Sequence, residues 1–206
     1  ILEAGLWDQV QQRLNTNRID RANGTHASVP SLLTGLIYDD TGAPMVPSHA
    51  NKKGRRYRYY VTKALLIGAR ATTPRGWRVP AGDLENLVAG RLMAFFRDQS
   101  TIFDALNEMI EDAILCRDLV AQAETLTGQW PGMATSDKRK ILNDLVGRMD
   151  LKAECIEIHI WPHRLPQILS AGNQPLAMLT GTNRDEPTLC LTVQARLKRV
   201  GMETRF

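Results

Sequence analysis

Between positions 41 and 82 the chain carries nine basic residues, Lys52, Lys53, Arg55, Arg56, Arg58, Lys63, Arg70, Arg75 and Arg78, and no aspartate or glutamate. The 206-residue chain as a whole has a formal charge of only +4, so the rest of it is net acidic and the positive charge is concentrated here. Concentrated cations suit a polyanion. Lys and Arg neutralise phosphates and release condensed counterions, and the arginine fork adds bidentate geometry for phosphate oxygens or guanine edges. The densest stretch, NKKGRRYRYYVTK (51–63), interleaves tyrosines with arginines. Tyrosines can stack on unpaired bases, but in a short strand they pack more often, and Tyr57 and Tyr59 are assigned to packing. Two further cations, Arg18 and Arg21, lie in a polar stretch that could track a phosphate backbone.

Other chemistries lack their parts. A serine or cysteine nucleophile needs a base, and the four histidines offer little: His26 and His49 fall in expected loops, and His159 and His163 straddle Trp161-Pro162, where helical spacing is implausible. No metal site and no cofactor are expected there. Cys116, Cys155 and Cys190 are far apart and odd in number, against a disulfide framework or a paired-cysteine zinc site, and are expected to be buried thiols. Neither standard glycine-rich phosphate loop is present. Asp104, Glu108, Glu111, Asp112 and Asp118 fall mostly off an apolar seam and suit a solvated helix face. No catalytic residue is assigned. No stretch approaches the roughly eighteen apolar residues of a membrane span, and no signal peptide opens the chain, so the expectation is a soluble, cytoplasmic protein without a membrane partner.

The elements that must position these residues follow from periodicity. Leu6, Val10 and Leu14, with Trp7, mark an amphipathic helix over 1–15; a polar linker follows to Val29, with Asn23-Gly24 as a turn and Pro30 as a stop. SLLTGLIYDD (31–40), APMVPSHA and RRYRYYVT predict a small antiparallel β unit, in which Arg56, Arg58 and Tyr60 share a charged face while Tyr57, Tyr59 and Val61 pack on the other. Leu84, Leu87, Val88, Leu92 and Phe95 predict a helix starting near Pro80 and Asp83. Ile102, Leu106, Met109, Ala113, Cys116, Val120 and Ala123 alternate steps of four and three, as in a coiled coil. A third helix, capped by Ser136 and bearing Ile141, Leu142, Leu145 and Met149, would complete a helical hairpin. Ile156, Ile158 and Ile160, then Leu189, Leu191 and Val193, predict two strands, with room for a short helix near 164–170. The fold class is therefore α+β: an N-terminal helix and linker, a small metal-free β ribbon, a coiled-coil-like helical hairpin and C-terminal β strands. The expected divisions are 1–29, 30–150 and 151–206. With Ile1 first and Phe206 closing a strand-like stretch, the chain reads as a piece of a longer protein.

Four runs in order, LWDQVQQRL, SLLTGLIYDDTGAPM, RRYRYYV and RVPAGDLENLV, resemble the region that follows the catalytic domain in serine site-specific recombinases of the resolvase and invertase type. The resemblance covers residues 1–100 and is looser beyond. It implies the closing helix of the recombinase domain, a linker, a small ribbon and the helix after it. The role it implies is recognition of duplex DNA for strand exchange or integration in a bacterial or phage, nucleoid-associated context. The serine nucleophile would belong to an N-terminal catalytic domain of the same parent, so no catalytic residue carries over. Many family members hold zinc with two cysteine pairs in the ribbon. The corresponding neighbourhoods here read Tyr38-Asp39-Asp40-Thr41 and Val61-Thr62, so a four-thiolate site cannot form, and the turn with its apolar face must do that structural work. A second reading makes the chain a protein-interaction module that self-associates through the helical hairpin. A self-sufficient hydrolase or nuclease would need grouped Asp, Glu and His residues that the sequence does not group.

Overall fold

A computed structural model describes residues 31–52, 54–66, 76–170, 188–200 and 203–205. The helix expected over 1–15 and the linker with Arg18 and Arg21 lie outside the described residues, as do Lys53, Arg70 and Arg75. The elements run β1 (Ile37–Tyr38), β2 (Met45–Lys52), β3 (Arg55–Thr62), a single helical turn α1 (Lys63–Leu66), β4 (Arg78–Pro80), α2 (Ala81–Arg97), α3 (Gln99–Asn107), α4 (Ala113–Gln129), α5 (Thr135–Leu145), β5 (Val146–Leu151), β6 (Cys155–Ile160), α6 (Leu165–Ser170), β7 (Leu189–Gln194), β8 (Lys198–Val200) and β9 (Glu203–Arg205). The chain is α+β, as its periodicities predict. No helix among the described residues is long and apolar enough to cross a membrane.

Strands β2, β3 and β4 form an antiparallel sheet, and β1, β5, β6 and β7 form a second sheet in that order, with β1 parallel to β5 and the other pairs antiparallel. Helix α2 packs against β3, β4 and β7, and so joins the two sheets. Its stripe of Leu84, Val88, Leu92 and Phe95 is buried to 2% exposure or less, each side chain contributing roughly 1.5–3 kcal/mol. Pro80, with φ already near −57°, precedes the first turn, and Asp83 lies within that turn, where a carboxylate suits the positive end of the helix dipole. The alternation of Ile156, Ile158 and Ile160 is realised as strand β6, all three fully buried, and Ile158 pairs with Leu191 of β7. The second sheet and the buried core both run across position 150/151.

Four expectations are corrected. Residues 31–40 do not join the ribbon sheet as a strand: β1 is two residues long and pairs with β5, Ile37 opposite Met149. The seven-position seam is not one helix. Helix α3 stops at Asn107, Met109 is 38% exposed and Ala113 is exposed. A new helix then starts because the Asp112 carboxylate accepts from the Ile114 and Leu115 amides, at 2.8 and 3.3 Å, satisfying donors that a first turn leaves orphaned. Its buried stripe becomes Cys116, Leu119 and Ala123, so the seam is not carried through on one helix. Helix α5 starts after Ala134, so Ser136 lies inside it rather than capping it. Met149 falls in strand β5, buried between Ile37 of β1 and Ile158 of β6, while Val146 and Leu151 pair with β6, and that pairing overrides helical spacing. The acidic residues Asp104, Glu108, Glu111, Asp112 and Asp118 are all exposed, as expected.

Candidate nucleic-acid interface

The β2–β3 hairpin is registered from Met45 opposite Thr62 to Lys52 opposite Arg55, leaving a two-residue connection at 53–54. Such connections need positive φ, and Gly54 has φ +75°. Cross-strand partners share a face, so Lys52, Arg55 and Tyr57 lie on one side near the tip and Asn51, Arg56 and His49 on the other. Burial is divided along the hairpin, not across it. Tyr59, Tyr60, Val61 and Thr62 at the base are buried, whereas His49, Asn51, Lys52, Arg55, Arg56 and Tyr57 at the tip are exposed. The expected separation into one charged and one packed face is thus wrong: Tyr60 is the most buried of the tyrosines and Tyr57, assigned to packing, is 40% exposed. Period two distinguishes the faces of a strand but not how far it extends beyond its support.

The base is held by two polar clusters. Glu85 of α2, 7% exposed, accepts hydrogen bonds from the Tyr60 hydroxyl (2.8 Å), the Leu32 amide (3.0 Å) and both terminal nitrogens of Arg58 (3.0 and 3.4 Å). Tyr60 in turn accepts from the Leu33 amide at 2.8 Å. Burial first, then the adjacent Glu85 carboxylate, raises the Tyr60 phenol far above its ordinary pKa, so it stays a donor. In the second cluster Asp39, 2% exposed, accepts from the Thr41 amide (3.0 Å), the Thr41 hydroxyl (2.6 Å), the Ala43 amide (3.0 Å) and the Thr62 hydroxyl (2.8 Å). Thr62 Oγ1 also accepts from the Trp77 amide at 3.0 Å, tying in the approach to β4. Gly42, at φ +79°, closes the turn by donating to the Asp39 carbonyl. The buried Asp39 carboxylate thus joins the turn after β1 to the last residue of β3.

The cations expected to act together are therefore dispersed in role. Lys52, Arg55 and Arg56 stand exposed at the hairpin tip. Arg58 is 28% exposed and ion-paired to Glu85. Arg78 lies over the Tyr59 ring, 4.2 Å from its centroid, and Lys63 is exposed at the start of α1. Arg18, Arg21, Lys53, Arg70 and Arg75 lie outside the described residues. Sequence reasoning gave the turn at Asp39 to Gly42 a structural role but not the bond from Thr62 to Asp39, and it missed Glu85 as a positioning residue. Glu85 left a signal, since it sits four after Ala81 and three before Val88, inside the apolar stripe of α2, where a carboxylate requires a partner.

The histidine and cysteine expectations also change. His49 lies in β2 rather than a loop, and Cys190 is exposed although Cys116 is buried and Cys155 half-buried. His159 stands near Asp150 and Glu157, at 3.5 and 3.9 Å, on the polar face of the second sheet.

No family model matches the chain, and no curated protein does. One solved structure, described as the crystal structure of an LSR–DNA complex, superposes with a TM-score of 0.42 at 14% sequence identity. That alignment takes in 78% of this chain and 65% of the other, so the chain spans less than two thirds of that protein's length.

Proposed function

We propose that this chain is the DNA-binding portion of a site-specific serine recombinase, recognising duplex DNA for strand exchange or integration by a catalytic domain outside these 206 residues. The observation that supports it is the basic hairpin whose base is clamped by Glu85 and Asp39 while its tip stands free with Lys52, Arg55 and Arg56. The three residue pairs from Ala50–Tyr57 to the tip extend roughly 10 Å, and a two-stranded ribbon of that reach fits a major groove about 12 Å wide. Lys52, Arg55 and Arg56 take phosphates or base edges. Lys53, Lys63, Arg70, Arg75 and Arg78 add to the local field, and Arg18 and Arg21 follow the backbone. Arg58 acts through Glu85, fixing the angle at which the hairpin leaves the body.

The test is fluorescence anisotropy of the 206-residue chain on labelled duplex DNA over a salt series. Affinity should fall steeply with salt, and Arg55→Ala with Arg56→Ala should reduce the log–log slope by about 0.9 for each phosphate that is no longer neutralised. Absence of DNA binding at low salt would refute the reading. A second reading, self-association through the helical hairpin expected between Ile102 and Met149, is favoured by Ile114, 72% exposed in the first turn of α4, and by Met109, 38% exposed five residues before it. Sedimentation of wild type and Ile114→Asp distinguishes it: a dimer that disappears in the variant, with no DNA binding in either, supports that alternative.

A further inference from the structure

We propose that Glu157, His159 and Cys190 form a binding site for a divalent cation of the zinc class on the polar face of the second sheet, apart from the ribbon. His159 of β6 lies directly opposite Cys190 of β7, and Glu157 is two residues earlier on the same face. One donor atom from each, an imidazole nitrogen, a thiol sulfur and a carboxylate oxygen, all lie within 4.8 Å of one another. Ligands around tetrahedral zinc stand ~3.5 Å apart, as bond lengths of about 2.0–2.3 Å require. The donors therefore need to close by about 1 Å, which side-chain rotation on adjacent strands allows. Asp150 Oδ2 lies 3.5 Å from His159 Nε2 but is engaged by Arg148 Nε at 2.9 Å, so it would supply a fourth donor only on leaving that pair. A mixed set of nitrogen, sulfur and oxygen selects zinc, cobalt or nickel over magnesium and calcium, which take oxygen alone.

The carboxylates now face cations. Lys152 pairs with Glu157 at 2.5 Å and Arg148 with Asp150 at 2.7 Å. Both basic side chains are nearly half exposed, 49% and 45%. The single-contact Lys152–Glu157 pair is of the surface kind that contributes little and yields to a metal ion, whereas Arg148 grips Asp150 through three contacts and is the firmer pair. Binding would cross-link β7, an edge strand among those described, to β6. It would also account for a cysteine placed exposed beside a histidine rather than buried.

The experiment titrates the reduced 206-residue chain with Co2+, followed by Zn2+ competition. One equivalent should bind with a thiolate-to-cobalt charge-transfer band, Zn2+ should displace it and Mg2+ should not. Cys190→Ser should abolish the band, and His159→Ala should weaken Zn2+ binding by more than ~10-fold, the loss that even outer-shell changes produce. Lys152→Met, which releases Glu157 from its ion pair, should tighten binding. The side chains are on the polar face, and circular dichroism serves as the check that each variant keeps the fold. A cobalt spectrum without the thiolate band, a band that survives Cys190→Ser, or equal affinity in all variants would overturn the proposal.

Discussion

Replacing Asp39 with alanine should cost about 3–5 kcal/mol of folding stability, although Asp39 is remote from the exposed hairpin tip. Four donors are left without their acceptor. The Thr41 amide and hydroxyl are on an exposed residue and can turn to water, and the Ala43 amide is half-exposed, so the cost at these three is partial. The Thr62 hydroxyl is fully buried and has no such recourse. A hydrogen bond to a charged acceptor contributes about 1.5–3 kcal/mol, and an orphaned buried donor costs about 1–3 kcal/mol. With the remaining bonds counted at partial value, the sum is a large share of the roughly 5–15 kcal/mol that holds a domain folded. Urea unfolding followed by tryptophan fluorescence measures it, since Trp77 is buried and bonded to Thr62. The midpoint should fall at constant slope. Thr62→Val alone should cost less, and the double variant should lose less than the sum of the singles, with a coupling of about 1–3 kcal/mol. If Asp39→Ala costs under about 1 kcal/mol, or the cycle shows no coupling, the carboxylate does not hold the ribbon together.

Glu85→Ala should destabilise by about 3 kcal/mol, because it strips a buried acceptor from Arg58, Tyr60 and the Leu32 amide; chemical denaturation measures this, and Glu85→Gln should cost less. Stability should fall in alkali: Tyr60 is raised by burial, so its contribution is present below its unfolded value of about 10 and is lost as pH climbs above it toward the folded value. Denaturation curves across pH 9–11 should flatten in Tyr60→Phe, at a lower absolute stability. Arg55→Ala with Arg56→Ala should leave folding stability unchanged to within about 0.5 kcal/mol while weakening DNA retention, since both side chains are exposed. Gly54→Val should cost about 1–2 kcal/mol, as a side chain at φ +75° is strained whatever the space around it.

Elements with a strong period and a clear boundary were legible without coordinates. Helix α2, strand β6, strand β7 and the short helix α6 each bury one stripe or one face, and the side-chain period alone identifies that face. The concentration of cations in 41–82 was equally legible, because charge needs no fold to be counted. What the sequence left open is decided by interactions between distant residues. Whether Met149 extends a helix or enters a strand depends on β1 and β6 lying on either side of it, and whether the seam around Met109 stays one helix depends on an aspartate capping a restart. The same applies to the basic segment. Its alternation separates two faces, yet it is the support of Glu85 and Asp39 at one end that leaves Lys52, Arg55 and Arg56 in solvent and draws Arg58 back to the body. Local spacing encodes direction, and burial of a polar group together with its partner is a long-range property that only the packed chain determines.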